Sequence, residues 1–206
     1  MTVERNLLQR LAAGPVSGAE LARETGLTRA AMWKRIEALR EAGVDIEARP
    51  GQGYALARVS DWLDAKTIRA ALPGPLQAGL AGLEVAWSLD STNSELLRRS
   101  TPMRGVDALL AERQTGGRGR RGRAWASPLG AHVYLSLARQ FGGGLARLGG
   151  LSLVAGVAVA EALHALGFVQ VGLKWPNDIV VAAPDGLRKL GGLLVEGGQC
   201  RQQPLE

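Results

Sequence analysis

The chain has 206 residues, 46% hydrophobic and 21% charged, which suits one large or two small globular domains and excludes a disordered or fibrous chain. A net charge of +6 and a pI near 10.2 favour anionic partners without choosing among DNA, nucleotide and membrane. The single Cys200 excludes an internal disulfide framework and fits a reducing cytoplasm; no signal peptide is readable, and the most apolar run, Leu148–Ala160, is too short for a bilayer span.

In chain order, residues 3–13 place Val3, Leu7, Leu8 and Leu11 on one helical face, and Gly14-Pro15 stops that helix. Ser17-Gly18-Ala19-Glu20 has capping-box spacing for a second helix that ends at Gly26. Thr28 suits the N-cap of a third helix running to about Ala42, with Met32, Ile36 and Leu39 inward and Arg29, Lys34, Arg35 and Arg40 largely outside that stripe. Val44–Ala48 and Tyr54–Ala57, joined by Pro50-Gly51-Gln52-Gly53, make a hairpin. Helix, helix, basic helix and hairpin predict a winged helix-turn-helix over residues 1–58, with the four basic residues as candidate DNA contacts. Nine Lys/Arg against seven Asp/Glu leave this stretch a net +2, small for a DNA binder, so a protein-interaction module stays open. Trp33 flanks the apolar stripe and faces either the groove or the hairpin junction.

Residues 59–79 read as a connector, with one short helix over Asp64–Leu72 broken by Pro73-Gly74-Pro75. A second domain, 80–206, follows. Leu83–Leu89, Ala108–Glu112, His132–Ala138, Val171–Trp175, Ile179–Ala182 and Arg188–Glu196 are its predicted strands. Ser91 or Thr92 suits the N-cap of a helix carrying Leu96 and Leu97, whose free N–H groups either face a ligand or are simply capped, and Leu148–Leu166 is a predicted long buried helix. The order is α+β with a mixed sheet rather than strict βαβ alternation.

Two stretches carry chemistry. Arg113–Pro128, RQTGGRGRRGRAWASP, interleaves Arg113, Arg118, Arg120, Arg121 and Arg123 with four glycines and cannot bury itself. Bare N–H groups and guanidinium forks suit a phosphate or carboxylate, so either the loop orders around an anion or it is a solvated basic patch. In Lys174-Trp175-Pro176-Asn177-Asp178, a lysine at a strand end is aimed at an anion and partly desolvated by Trp175, or is simply exposed beside a core tryptophan. His132 and His164 lack metal-ligand spacing with Cys200, so no protein-held metal is expected.

Together these residues resemble biotin protein ligases, specifically the bifunctional kind that also represses the biotin operon. Gly117–Gly122 reads GRGRRG and is followed by Trp125; KWPND is Lys174–Asp178; the serine-threonine-asparagine element is Ser91–Asn93; the KLxGxLVE strand is Lys189–Glu196. The resemblance implies a class II synthetase-like fold behind the winged helix. It also implies biotin and ATP as substrates, with Mg2+ accompanying ATP, and a biotin–[acetyl-CoA-carboxylase] ligase acting on the biotin carboxyl carrier protein. It further implies operator DNA as partner, a homodimer when adenylate is bound, no membrane, and a cytoplasmic location. Ser91, Thr92, Asn93 and Gln114 would meet the biotin ring, and Trp125 would be an apolar wall for the ligand. Gly117, Arg118, Gly119, Arg120 and Arg121 would cover biotin and the adenylate phosphate, with Asn177 beside the phosphate. Lys174, Arg118 and Arg120 would carry the catalytic charge. The family continues past the position of Glu196 with a glycine-rich strand, helices and a small barrel, so the adenine pocket is expected to be incomplete here. A ligand-sensing repressor with little ligase activity is therefore a second reading, and a lipoate or octanoate transferase a third.

Overall fold

The computed structural model describes residues 3–58, 61–119, 122–123, 125–142 and 148–197. They fall into two compact units: the described parts of Met1–Gly117 with Trp125–Arg139, and those of Arg118–Ala124 with Gln140–Glu206.

The first unit opens with α1 (Val3–Ala12), α2 (Gly18–Thr25) and α3 (Arg29–Glu41), then the antiparallel hairpin β1 (Ile46–Arg49) and β2 (Gly53–Leu56). The caps are those the sequence marks. Ser17 Oγ accepts from the Glu20 amide and Thr28 Oγ1 from the Ala31 amide, each worth about 1 kcal/mol. Gly26 closes α2 at φ +70°. Leu7, Leu8 and Leu11 of α1, Leu21 of α2, Met32, Ile36 and Leu39 of α3, and Ile46 and Leu56 of the hairpin bury together. Each such side chain contributes roughly 1.5–3 kcal/mol by leaving water. The hairpin is tied back to the helices by Val16, whose amide and carbonyl both bond Tyr54, at 2.9 and 2.8 Å.

The same core accepts side chains from beyond residue 58. Leu129 is buried in it, and Trp62 and Trp87 pack against it with ring centroids 5.1 Å apart. α4 (Ala65–Ala71) has Asp64 as N-cap, its carboxylate accepting from the Thr67 amide, and the Thr67 bonds hold that carboxyl below its ordinary range. A second short helix, α5 (Gly74–Gly79), follows where only a break was expected; Pro75 sits in its first turn, a position with no N–H to lose. β3 (Leu80–Ala86) pairs parallel with β4 (Val106–Ala111), which pairs antiparallel with β5 (Tyr134–Ala138); α6 (Thr92–Arg98) joins β3 to β4. Ala108–Ala111 of the central strand are all buried, which explains their unbroken apolar run.

The second unit holds α7 (Leu151–Ala165) and the antiparallel sheet β6 (Val171–Lys174), β7 (Asp178–Ala183), β8 (Gly186–Gly192). α7 corrects the expectation of a buried helix: only Gly156 and Ala160 are buried, while Val154 is 66% exposed. Its small Gly156 lies over Leu173 and Leu193, and its apolar residues run all round the helix, so one contact face leaves the others uncovered. His164, near the C-terminus of α7, places Nε2 2.8 Å from the Val171 carbonyl and so joins helix to sheet. β8 covers only the first part of the strand expected over Arg188–Glu196.

Candidate functional site

On the winged helix, Arg29 and Lys34 are exposed on α3 beside Trp33, which is 54% exposed. Trp33, Arg29, Ala30, Gly18 and Tyr54 line a hollow of about 330 Å3 where α2, α3 and the wing meet. The other two basic candidates are engaged within the fold. Arg35 donates to Glu4 of α1 at 2.6 Å. Arg40 donates to Glu37 at 2.6 Å and to the Ile46 carbonyl at 2.9 Å, with its guanidinium 5.8 Å from the Tyr54 ring centre. Arg29 and Lys34 are therefore the better placed of the four to meet a phosphate.

A second cluster lies where β4 runs into the arginine-rich loop. Ser91, not Thr92, is the N-cap of α6, its Oγ accepting from the Ser94 amide at 3.3 Å. The Thr92 amide is not free for a ligand: it donates to Gln114 Oε1 at 2.7 Å, and Thr92 Oγ1 lies 3.0 Å from the same oxygen and 2.8 Å from Ser136 Oγ. The Gln114 amide donates to Ser127 Oγ at 2.7 Å. Burial pushes the Tyr134 hydroxyl above its ordinary range, a bond to Ser127 opposing it, and His132 Nδ1 stands 2.7 Å from the Tyr134 oxygen. Ser91 and Thr92 are 6% and 3% exposed and Gln114 and Ser136 are half-buried, so this is a preformed, partly dry polar group. Asn93 is half-buried beside it. Ser127, Ser136 and Tyr134 carry no individual mark in the sequence: a serine in a loop, or a serine or tyrosine in a strand, looks the same at a site as on the surface.

The loop itself starts alongside residues 89–90, with the Thr115 amide bonded to the Leu89 carbonyl and the Gly116 amide to the Asp90 carbonyl. Asp90 is held far below the usual carboxylate range, first by Arg98, which grips it with both terminal nitrogens at 2.8 Å. The Trp125 amide bonds the Gly117 carbonyl at 3.2 Å, and a Cβ on Gly117 would come 2.9 Å from the Gln114 side-chain nitrogen, so glycine there keeps room for the amide. Trp125 is half-buried. Arg120 and Arg121 lie outside the described residues.

In the second unit, Arg118 is exposed and reaches Glu196 at 3.7 Å, and the Gly119 amide bonds the Arg123 carbonyl at 2.8 Å. Lys174 and Trp175 are both exposed, Trp175 by 79%, which corrects two expectations: Trp175 neither desolvates Lys174 within this unit nor belongs to its core. Asn177 exchanges bonds with Leu193, its carbonyl accepting at 2.9 Å and its side-chain nitrogen donating at 2.8 Å, so it fixes the chain leaving β8. Lys189, quoted in the sequence only as part of a strand, donates to Asp178 at 2.6 Å. A Cβ on Gly192 would lie 3.2 Å from the Lys189 amine, so glycine there lets the lysine reach across to Asp178. Lys174, Trp175, Pro176, Asn177 and Asp178 border a hollow of about 200 Å3 with residues of the first turns of α7. Among the described residues no three His, Cys, Asp or Glu side chains are grouped to hold a metal ion, and no helix is long and apolar enough to cross a membrane.

Comparison with known proteins bears on both units. Residues 3–55 match the model of an HTH domain, and residues 85–203 that of the Biotin/lipoate A/B protein ligase family. The chain is 44% identical over 196 residues to the bifunctional ligase/repressor BirA of Escherichia coli (strain K12), an overlap of 95% of this chain and 58% of that one. With the BirA of Bacillus subtilis (strain 168) it shares 33% over 182 residues, covering 88% and 54%. The biotin–[acetyl-CoA-carboxylase] ligase of Mycobacterium tuberculosis is 38% identical over 143 residues, covering 66% and 52%. The chain thus spans little more than half the length of these relatives.

Proposed function

We propose that this chain, which belongs to the biotin/lipoate A/B protein ligase family, activates biotin with ATP to biotinyl-5′-AMP, passes biotin to a lysine of the biotin carboxyl carrier protein of acetyl-CoA carboxylase, and represses biotin synthesis by binding operator DNA. The observation that carries the ligand reading is the Thr92–Gln114–Ser136 group at the root of the arginine-rich loop, with Thr92 buried and Gln114 and Ser136 half-buried. A cyclic urea presents one carbonyl acceptor and two N–H donors, and hydroxyls and an amide in a dry setting are the matching partners. Ser91, Thr92, Asn93 and Gln114 take the ring of biotin, and Trp125 its apolar side.

The chemistry follows from charge. A biotin carboxylate oxygen attacks the α-phosphorus of ATP, the bond to the β-phosphate oxygen breaks, and pyrophosphate leaves. Two anions approach one another, so positive groups that act as negative charge gathers on the α-phosphate lower the barrier. Lys174, Arg118 and Arg120 fill that role, with Gly117, Gly119, Arg121 and Asn177 at the phosphate. Mg2+ arrives bound to ATP, as part of the substrate. A carrier lysine amine then attacks the carbonyl of the mixed anhydride, forming the amide and releasing AMP, while the closed loop keeps water away. ATP–pyrophosphate exchange on this chain tests the proposal: exchange that requires biotin supports it, and none at saturating biotin and ATP refutes the adenylation step.

Trypsin should cut within 116–124 in the free chain, because four arginines share four glycines there with no carboxylate between them, and biotin with ATP should protect it. Equal cutting in both conditions would remove the claim that the ligand orders the loop. For DNA, Arg29→Ala and Lys34→Ala should each lower the slope of log affinity against log salt by about one, as loss of one phosphate contact does. Arg35→Ala should lower it less, because Glu4 already holds that guanidinium. A dimer would place two such helices on two half-sites. An operator slope that responds to Arg35 and not to Lys34 would move the DNA face to the other side of α3.

A further inference from the structure

Glu112 has no part in the chemistry above. It is the last residue before Arg113-Gln114, its side chain is 3% exposed, and a carboxylate in that setting needs a reason. Its Oε1 accepts from the Leu63 amide at 2.6 Å, forty-nine residues away in the stretch between β2 and α4. The Leu63 carbonyl in turn accepts from Arg5 of α1 at 3.1 Å. On the backbone side, the Glu112 carbonyl takes the Gly130 amide at 3.0 Å and the Glu112 amide gives to Ala86 at 3.1 Å. Gly130 lies under the Trp62 ring, where a Cβ would come within 2.6 Å, and next to it the Leu129 amide bonds the Ala42 carbonyl at the end of α3. The far end of the arginine-rich loop is thus pinned to the end of α3 through Ala42, and the near end to the connector through the Glu112 carboxylate and Leu63, beside the bonds that Gln114 itself makes with Ser127 and Thr92.

We propose that Glu112 is a positioning residue: by clamping the Leu63 amide it fixes the exit of β4, and so holds the Gln114 amide against Thr92 in the geometry that receives the ligand. An apolar side chain would fill the same space at no cost of burying charge, but could not hold the one amide of the connector that faces it. Burial pushes the Glu112 carboxyl above its ordinary range, with the Leu63 bond and Arg5 opposing this and Asp61 adding to it; a carboxyl keeps an acceptor oxygen for the Leu63 amide whether charged or neutral. The proposal rests on the biotin reading for the identity of the ligand, not for the positioning itself.

The test uses the full chain with Glu112→Ala, Glu112→Gln and Arg5→Met, the last breaking the clamp from α1, remote from Gln114 in sequence. Amide hydrogen exchange without ligand is read at Leu63 and Gln114, and biotin affinity by calorimetric titration, at a temperature where every variant is fully folded. Glu112→Ala should speed exchange at both amides and raise the biotin Kd about tenfold, the scale of one lost hydrogen bond to a charged or strongly polar acceptor. Glu112→Gln keeps an acceptor oxygen and should stay within about twofold; Arg5→Met should fall between them. A merely structural role would lower the melting temperature and leave Gln114 exchange and biotin affinity, both read below that temperature, unchanged. Unchanged Gln114 exchange in Glu112→Ala, or a glutamine variant as impaired as alanine, overturns the proposal. If Glu112→Ala does not fold, Arg5→Met decides by the same two readings. If the parent chain binds no biotin, the ligand reading fails, and exchange at Gln114 still decides whether Glu112 positions it.

Discussion

Gly53→Ala should unseat the wing and abolish operator binding near physiological temperature. Gly53 opens β2 at φ +95°, a region that costs an L-residue about 1–2 kcal/mol. Strain is the smaller part. A Cβ there would press into the Val16 carbonyl and come 2.6 Å from Ser17 Cα, both backbone atoms that no rotamer change can move aside. Val16 carries the paired bonds to Tyr54 that tie wing to helices, and Ser17 caps α2. Forcing the methyl in therefore breaks the bridge or the cap, adding about 1–3 kcal/mol of overpacking. The combined loss, about 2–5 kcal/mol, corresponds to a fall in melting temperature of about 10 °C or more for a domain of this size. Gly51→Ala is the matched control. It also sits at positive φ, +73°, but a Cβ there meets nothing within 4 Å, so it should show the strain alone. Thermal unfolding of the two variants side by side checks this, and equal losses would show that the Val16 contact is not what excludes a side chain at 53.

The winged helix was legible because its signals are local. Ser17, Gly26 and Thr28 mark helix ends by chemistry that acts within three residues, and Leu7, Leu8, Leu11, Met32, Ile36 and Leu39 repeat at helical spacing. Where partners are distant the reading weakened. β3 runs over Leu80–Ala86, three residues before the expected Leu83–Leu89, because its limits are set by parallel pairing with β4 and not by its own pattern. Leu151–Ala165 was rightly a helix, but an all-round apolar helix contains no mark of which faces are covered. The site divides in the same way. Thr92 entered as a candidate helix cap and Gln114 through resemblance, and their meeting through one amide oxygen has no counterpart in spacing, since twenty-two residues separate them. Glu112 and Lys189 were invisible as individuals. A glutamate before an arginine and a lysine after one look like any solvated surface, and only the Leu63 amide and the Asp178 carboxylate give them a purpose.

Lys174→Ala should lower the rate of adenylate formation by about 10²–10³, while biotin affinity changes by less than about threefold. The split follows from when the charge is needed. Bound biotin carries one carboxylate, already screened by water while the site is open, where a unit charge about 4 Å away is worth only about 1 kcal/mol. During attack, negative charge gathers on the α-phosphate oxygens with the loop closed and water excluded, and the same ammonium is worth several times more. On the proposed reading, Lys174 brings an unpaired charge to that step. It ends β6 in register with Asp178, yet the Asp178 carboxylate is taken by Lys189 at 2.6 Å, so among the described residues no ion pair neutralises Lys174. Lys189→Ala separates charge from position: it frees Asp178 to draw Lys174 away from its task, and should also slow adenylation, whereas Lys189→Ala with Asp178→Asn should recover part of the loss. Single-turnover formation of biotinyl-5′-AMP, beside calorimetric biotin binding, measures both quantities. Loss of biotin affinity at unchanged turnover in Lys174→Ala would make Lys174 a ground-state contact, and failure of the double variant to recover would leave Lys189 with a direct role at the phosphate in place of a supporting one.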